Sequence, residues 1–219
     1  AAASAFISHQ LKKKDPYSFC ANPLDFIYFG HLDKYQINMG QLIKGLISEG
    51  EEISPVWEPR NKATTSGFQS PETIFQVGKK NFAALEKVIR SELAKYYTQF
   101  SDNTCCLIRR WPKEYKLKGW YVRLVKGGHQ TLHIHESGWV SGVIYLKTIS
   151  PQKHNQGAIE FGLHGNDLPI LNKDYPKKLH CPKEGDIVLF PSSLFHRTIP
   201  FEDNSERCVI AFDVEPILP

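Results

Sequence analysis

From Asp102 onward the sequence falls into short strand-like runs with no helical stretch between them, and this restricts the fold more than any other feature. The runs cover 105–111, 120–125, 131–135, 139–147, 158–163, 186–191 and 207–214, rich in β-branched and aromatic residues. Gly127-Gly128, Ser137-Gly138, Pro151, Gly165-Asn166 and Glu184-Gly185 separate them as turn signals. Neighbouring parallel strands need long crossovers, usually helical, so the pattern argues against a doubly wound sheet. It predicts a mainly β protein with helical support (α+β), its second half a sandwich or barrel.

The first half reads differently. Asn38 is placed to cap a helix carrying Leu42, Ile43, Leu46 and Ile47 and ending at Gly50. The stretch 51–70 has Pro55, Pro59 and Gly67 and little periodicity, so it is expected to be irregular. Ser70-Pro71 then offers a capping hydroxyl followed by proline at a first helical position. Phe82, Leu85, Ile89, Leu93, Tyr96 and Phe100 follow at steps of three and four, one face of a long helix that needs a large partner such as a sheet. The expected division is a helical and irregular support region, 1–103, packed on a β core, 104–219, as one integrated domain.

The bulk numbers exclude more than they select. Hydrophobic residues at 41% and charged residues at 23% are ordinary for a globular chain, and no apolar run approaches the roughly 18–20 residues of a membrane span. The five cysteines (Cys20, Cys105, Cys106, Cys181 and Cys208) are odd in number and lack a C-x-x-C pair, which fits reduced thiols in a cytoplasmic protein. Cys105-Cys106 lies in an apolar run and reads as packing. The net charge of +4 is mild, but 109–126 sets seven cations against Glu114 alone. A solvated hairpin is the favoured reading of that stretch; a lip for an anionic substrate or nucleic acid is the sharper one. The Ala1-Ala2-Ala3-Ser4 start, without an initiator Met, reads as a processed, tagged or excised end.

The residues that point to chemistry are His133, His135 and His196, with Tyr145 and Arg207. In a strand, residues two apart share a face, so His133-Ile134-His135 sets two imidazoles side by side. A third ligand must come from a strand distant in sequence. His196 suits this role, since it follows the buried-looking run Asp186-Ile187-Val188-Leu189-Phe190-Pro191 through a short turn. Three ligands on one side of an ion leave positions open for a co-substrate and oxygen, a pattern that fits Fe(II). Alone, H-x-H is a weak signal; His9, His31, His154, His164 and His180 are expected to be structural.

Thr131-Leu132-His133-Ile134-His135 followed by Ser141-Gly142-Val143-Ile144-Tyr145-Leu146 resembles the H-x-H…S-G-V-Y-Y-L signature of a family of 2-oxoglutarate- and Fe(II)-dependent oxygenases found in marine bacteria and phages. Glu184-Gly185-Asp186-Ile187-Val188-Leu189-Phe190-Pro191, His196, Arg207 and Ala211-Phe212 are similar to the second half of that signature, so the resemblance spans roughly half the chain. The order is also similar to that of prolyl and aspartyl/asparaginyl hydroxylases. The resemblance implies a double-stranded β-helix (jelly-roll) core, Fe(II) as the metal, 2-oxoglutarate and O2 as co-substrates, and a hydroxylated small-molecule, peptidyl or amino-acid-like substrate. It implies that His133 and His196 bind iron and that Arg207 pairs with the C5 carboxylate of 2-oxoglutarate. Alternation puts Arg207 on the face of Val209 and Ala211, small enough to leave room for a ligand. Tyr145 matches a tyrosine that reaches the same carboxylate, with a plain core aromatic as an equally good reading.

His135 departs from most oxygenases of the wider superfamily, which have Asp or Glu there. Three arrangements stay open, with the first preferred: His135 as a third ligand, His135 behind the metal with water in its place, or Glu136 swinging in through a bulge. Trp111, Trp120 and Trp139 are expected to be barrel packing rather than a substrate mouth, and His129 is not expected to be a ligand. Neutral imidazoles bind metal, so metal affinity should fall in mild acid. Two other functions compete: a cupin-like three-histidine dioxygenase that does not use 2-oxoglutarate, and a jelly-roll module with a structural metal. Repair of alkylated nucleic acid rests only on the basic stretch, so nucleic acid is not an expected partner.

Overall fold

Alternating apolar positions close the second half into a jelly roll. The computed structural model describes residues 1–149, 155–165 and 167–217, and in it ten strands form two antiparallel sheets. The strands are β1 (Tyr28–His31), β2 (Val56–Trp57), β3 (Thr64–Gln69), β4 (Tyr115–Gln130), β5 (Val140–Lys147), β6 (Ile159–Gly162), β7 (Lys177–His180), β8 (Asp186–Pro191), β9 (Phe195–Thr198) and β10 (Arg207–Pro216). The large sheet runs β1-β8-β5-β10-β4-β3-β2 and the small one β7-β6-β9. The helices are α1 (Ala2–Leu11), α2 (Met39–Glu52), α3 (Lys80–Phe100) and the short α4 (Cys106–Arg109).

The large sheet is buried on both faces. One face, with Ile144, Leu146, Ile187, Leu189, Ile210 and Phe212, packs on Leu42, Ile43 and Leu46 of α2 and on Phe82, Leu85, Ile89, Leu93 and Tyr96 of α3. The other, with Val143, Tyr145, Val188, Phe190 and Val209, meets Ile159 and Phe161 of the small sheet. Each large side chain so enclosed contributes about 1.5–3 kcal/mol relative to exposure. No helix among the described residues is long and apolar enough to cross a membrane.

Several expected elements shift. Helix α3 presents the predicted face but starts at Lys80, not Pro71. The Ser70 hydroxyl, instead of capping a helix, accepts from the Tyr121 amide (2.9 Å) and donates to the Pro71 carbonyl (2.9 Å). Gly78, at φ +70°, makes the left-handed turn before the helix begins. Helix α2 is capped by Asn38 as expected but runs past Gly50 to Glu52. A Cβ at Gly50 would sit 2.5 Å from the Tyr121 ring, so this glycine serves close packing rather than termination. The 105–111 run forms α4 rather than a strand.

The stretch 51–70 is not irregular throughout: it holds β2 and β3, and β3 pairs with β4 through Gly67↔Leu124 and Gln69↔Val122. The first half thus supplies three of the seven strands of the large sheet. The basic stretch 109–126 lies largely in the single long strand β4 rather than a hairpin. Three of its seven cations meet acids: Lys116 and Lys118 pair with Glu215, and Arg123 with Glu51 and Glu206.

Candidate metal centre

After β4 ends at Gln130 the chain stays extended but leaves the large sheet. The expected strand over 131–135 is reduced to one isolated bridge between His133 and His196. The two residues exchange both backbone hydrogen bonds, each 3.1 Å, and the His135 amide donates to the Ser192 carbonyl at 3.0 Å. This tie docks the H-x-H segment on β9, while the spacing of two keeps both imidazoles on one side. The three rings gather with centroids 4.3 Å (His133–His196), 5.1 Å (His133–His135) and 5.1 Å (His135–His196) apart. Their candidate ligand nitrogens all lie within 4.8 Å of one another.

Each ring has its Nδ1 engaged. His133 Nδ1 donates to the Thr131 carbonyl (2.6 Å), His196 Nδ1 to the Leu194 carbonyl (3.0 Å) and His135 Nδ1 to the Asp213 carboxylate (2.6 Å). A proton held on Nδ1 leaves Nε2 with a lone pair. Burial, then the His135 ring, hold His133 down to about 4, and burial with both neighbouring rings holds His196 well below its ordinary value. His133 Nε2 and His135 Nε2 nevertheless face each other at 3.1 Å. Two lone pairs at that distance repel unless a cation lies between them. Two imidazole nitrogens roughly 2.1 Å from one ion and at right angles would be roughly 3.0 Å apart. The donor set therefore fits a divalent metal.

The same cavity holds a cation with no anion. Alternation along β10 turns Arg207, Val209 and Ala211 toward the histidines, and these three line an inner cavity of about 40 Å³ with His133, His135, His196 and Thr198. Arg207 is 2% exposed, and its Nε has no hydrogen-bond partner. Burial pulls the guanidinium below its usual value, yet it remains charged, and no carboxylate among the described residues contributes to its titration. It lies over the Tyr145 ring, 5.0 Å from the centroid. The Tyr145 hydroxyl feels that charge but makes no well-formed hydrogen bond, and burial pushes it up to about 12.

An outer chamber of about 300 Å³ continues past His133 and His135, lined by Trp120, Gln69, Gln130, Lys62 and Glu72 among others. Trp120, expected to be packing, forms part of its wall and stands edge-on to His135 at 5.8 Å. Trp139 donates to the Leu107 carbonyl and Trp111 packs on Tyr96, as expected of packing residues. Glu136 is exposed and outside the cluster, and His129 Nδ1 donates to its local Gly127 carbonyl. His31 and His180 contact Asp186 and His164 the Leu168 carbonyl, while His154 lies outside the described residues. Sequence reasoning missed Asp213, Ser141 and Ser192 behind His135. The available signal was a lone carboxylate inside the apolar run Val209-Ile210-Ala211-Phe212-Asp213-Val214.

Fold and cluster together define a class: a jelly roll with three histidines converging at one end of its barrel. Residues 118–213 match the family described as "Putative 2OG-Fe(II) oxygenase", so this stretch is similar to the 2-oxoglutarate- and Fe(II)-dependent oxygenases. Solved structures share the fold over almost the whole chain. A prolyl-4-hydroxylase from Pseudomonas putida superposes with a TM-score of 0.60 at 13% identity, covering 99% of each chain. HygX from Streptomyces hygroscopicus, with nickel and 2-oxoglutarate bound, gives 0.60 at 16% identity over 92% of this chain and 89% of its own. The viral collagen prolyl hydroxylase of Paramecium Bursaria Chlorella virus-1, in its 2OG complex, gives 0.56 at 13% identity over 88% and 97%. No curated protein matches the sequence significantly.

Proposed function

We propose that this oxygenase is a dioxygenase in which His133, His135 and His196 hold Fe(II), Arg207 and Tyr145 receive the C5 carboxylate of 2-oxoglutarate, and a peptidyl or amino-acid-like substrate is hydroxylated. One observation carries the reading. A single cavity is lined both by the three imidazoles and by a buried guanidinium that has no ion pair among the described residues. A guanidinium and a carboxylate form the strong, orienting contact that such a di-acid needs. Iron with the keto acid and O2 bound supplies the oxidising power for the C–H bond. The protein's share is to fix the imidazoles by their Nδ1 bonds, to anchor the keto acid and to wall the cavity with Val209, Ala211 and Phe190. The outer chamber carries charges of both signs, Lys62 and Glu72 at 3.9 Å, which suit a substrate with amine, carboxylate or amide groups. Prolyl hydroxylases among the structures of like fold support that class. Residues 104–219 carry the metal and keto-acid sites, while 1–103 support them and lend Lys62 and Glu72 to the outer chamber; five free thiols fit a cytoplasmic setting.

The test is an anaerobic titration of the Fe(II)-loaded protein with 2-oxoglutarate, following the visible charge-transfer band of a chelated keto acid. The expected result is a band in the wild type that Arg207→Ala shifts to much higher keto-acid concentration. Iron binding without any band would overturn the 2-oxoglutarate reading and favour a three-histidine dioxygenase of the cupin kind.

A further inference from the structure

Asp213 is 4% exposed, in the middle of an apolar strand, and its Oδ1 accepts two short hydrogen bonds. One comes from His135 Nδ1 (2.6 Å) and the other from Ser141 Oγ (2.6 Å), whose oxygen is 2.8 Å from Ser192 Oγ. Strand register sets Ser141 directly across from Asp213 on β5, so the hydroxyl contact follows from the sheet itself. Lys118 is directly across on β4, but its amine goes to Glu215 and Glu72. His135 is the one basic group paired with Asp213 among the described residues. A carboxylate buried like this costs several kcal/mol unless its charge is met. One hydroxyl and a neutral imidazole do not meet it; a dication on the far nitrogen of that imidazole does.

We propose that Asp213 is a positioning residue that returns, through His135, the negative charge missing from a three-histidine metal site. This rests on the reading of His133, His135 and His196 as the ligands. The carboxylate keeps the proton of His135 on Nδ1, so Nε2 faces the metal, and it makes that nitrogen the more basic donor. His135 and Asp213 together then act as one anionic ligand, with the acid displaced outward by the width of a ring. The position of His135 is set by its extended backbone and its tie to Ser192, and its polarity by a residue 78 positions later.

Asp213→Asn is the direct test, since the amide oxygen can still accept from His135 and Ser141 while the charge is gone. The dissociation constants of Fe(II) and Zn(II) would be measured by chelator competition for the wild type, Asp213→Asn and Ser141→Ala. The expected result is a 10–100-fold weaker metal complex for Asp213→Asn. Ser141→Ala, which loses a hydrogen bond but keeps the charge, should change affinity far less, and the metal-free Asp213→Asn should unfold no more easily than the wild type. Equal metal affinity in wild type and Asp213→Asn would overturn the proposal and leave the ligand assignment standing. A wild type that binds neither metal would overturn both. Should Asp213→Asn not fold, nitrogen-15 NMR of the zinc-loaded wild type decides: a strongly deshielded proton on His135 Nδ1 supports the proposal, and a proton on Nε2 overturns it.

Discussion

Strand β10 has two sets of residues, and they serve opposite ends. Cys208, Ile210, Phe212 and Val214 point to α2 and α3 and belong to a core built of apolar groups. Arg207, Ala211 and Asp213 point the other way, to the cavity wall, the guanidinium and the carboxylate behind His135. Both sets are largely buried, but the first is satisfied by packing, whereas the second holds a guanidinium without an ion pair among the described residues and a carboxylate met only by His135 and Ser141. Burial on the helix side stabilises the protein. Burial on the cavity side is a standing cost that a bound metal and a di-acid would relieve, as expected where function rather than stability shaped the residues.

The contrast can be broken in several places. Phe212→Ala removes a fully buried ring that packs against Gly142, and it should lower the unfolding free energy by about 3–5 kcal/mol in a urea titration. A loss below about 1 kcal/mol would mean the helix side is not the stabilising one. Arg207→Met, five residues away on the opposite face, should raise the keto-acid dissociation constant at least about 100-fold, equivalent to about 2.7 kcal/mol. Its unfolding free energy should hold or rise, since a buried unpaired charge is gone. A large drop in stability would instead make Arg207 a structural residue.

Acid sharpens the comparison further. Burial, then the His135 ring, hold His133 down to about 4 in the fold, below the ordinary imidazole value, so the folded state disfavours the proton. The metal-free protein should therefore keep its full stability above about pH 6.5 and lose part of it as the pH falls toward about 4. His133→Gln should flatten that slope in a series of thermal melts; an unchanged slope would place the acid sensitivity elsewhere. The smallest effect belongs to the surface. Lys116→Ala, which removes an exposed lysine but leaves Glu215 its pair with Lys118, should cost at most about 0.5 kcal/mol and leave the keto-acid band unmoved.

What the sequence determined by itself were the features written in local spacing. The β character of the second half, the buried face of α3, the shared side of His133 and His135, and the common face of Arg207, Val209 and Ala211 all follow from periods of two or 3.6 residues. Where local chemistry was ambiguous, partners distant in sequence decided. Ser70 bonds to Tyr121 rather than capping a helix, and the polar segment Thr64-Thr65-Ser66-Gly67-Phe68-Gln69 becomes a strand because β4 offers it an edge. The apolar run at 105–111, expected as a strand, turns into α4. Only the tertiary structure decided that His196 pairs with His133, that Arg207 meets no acid among the described residues, and that Asp213 stands behind His135. These are relations between strands 63 to 78 residues apart, and one chain's spacing carries no record of which strand will lie beside which.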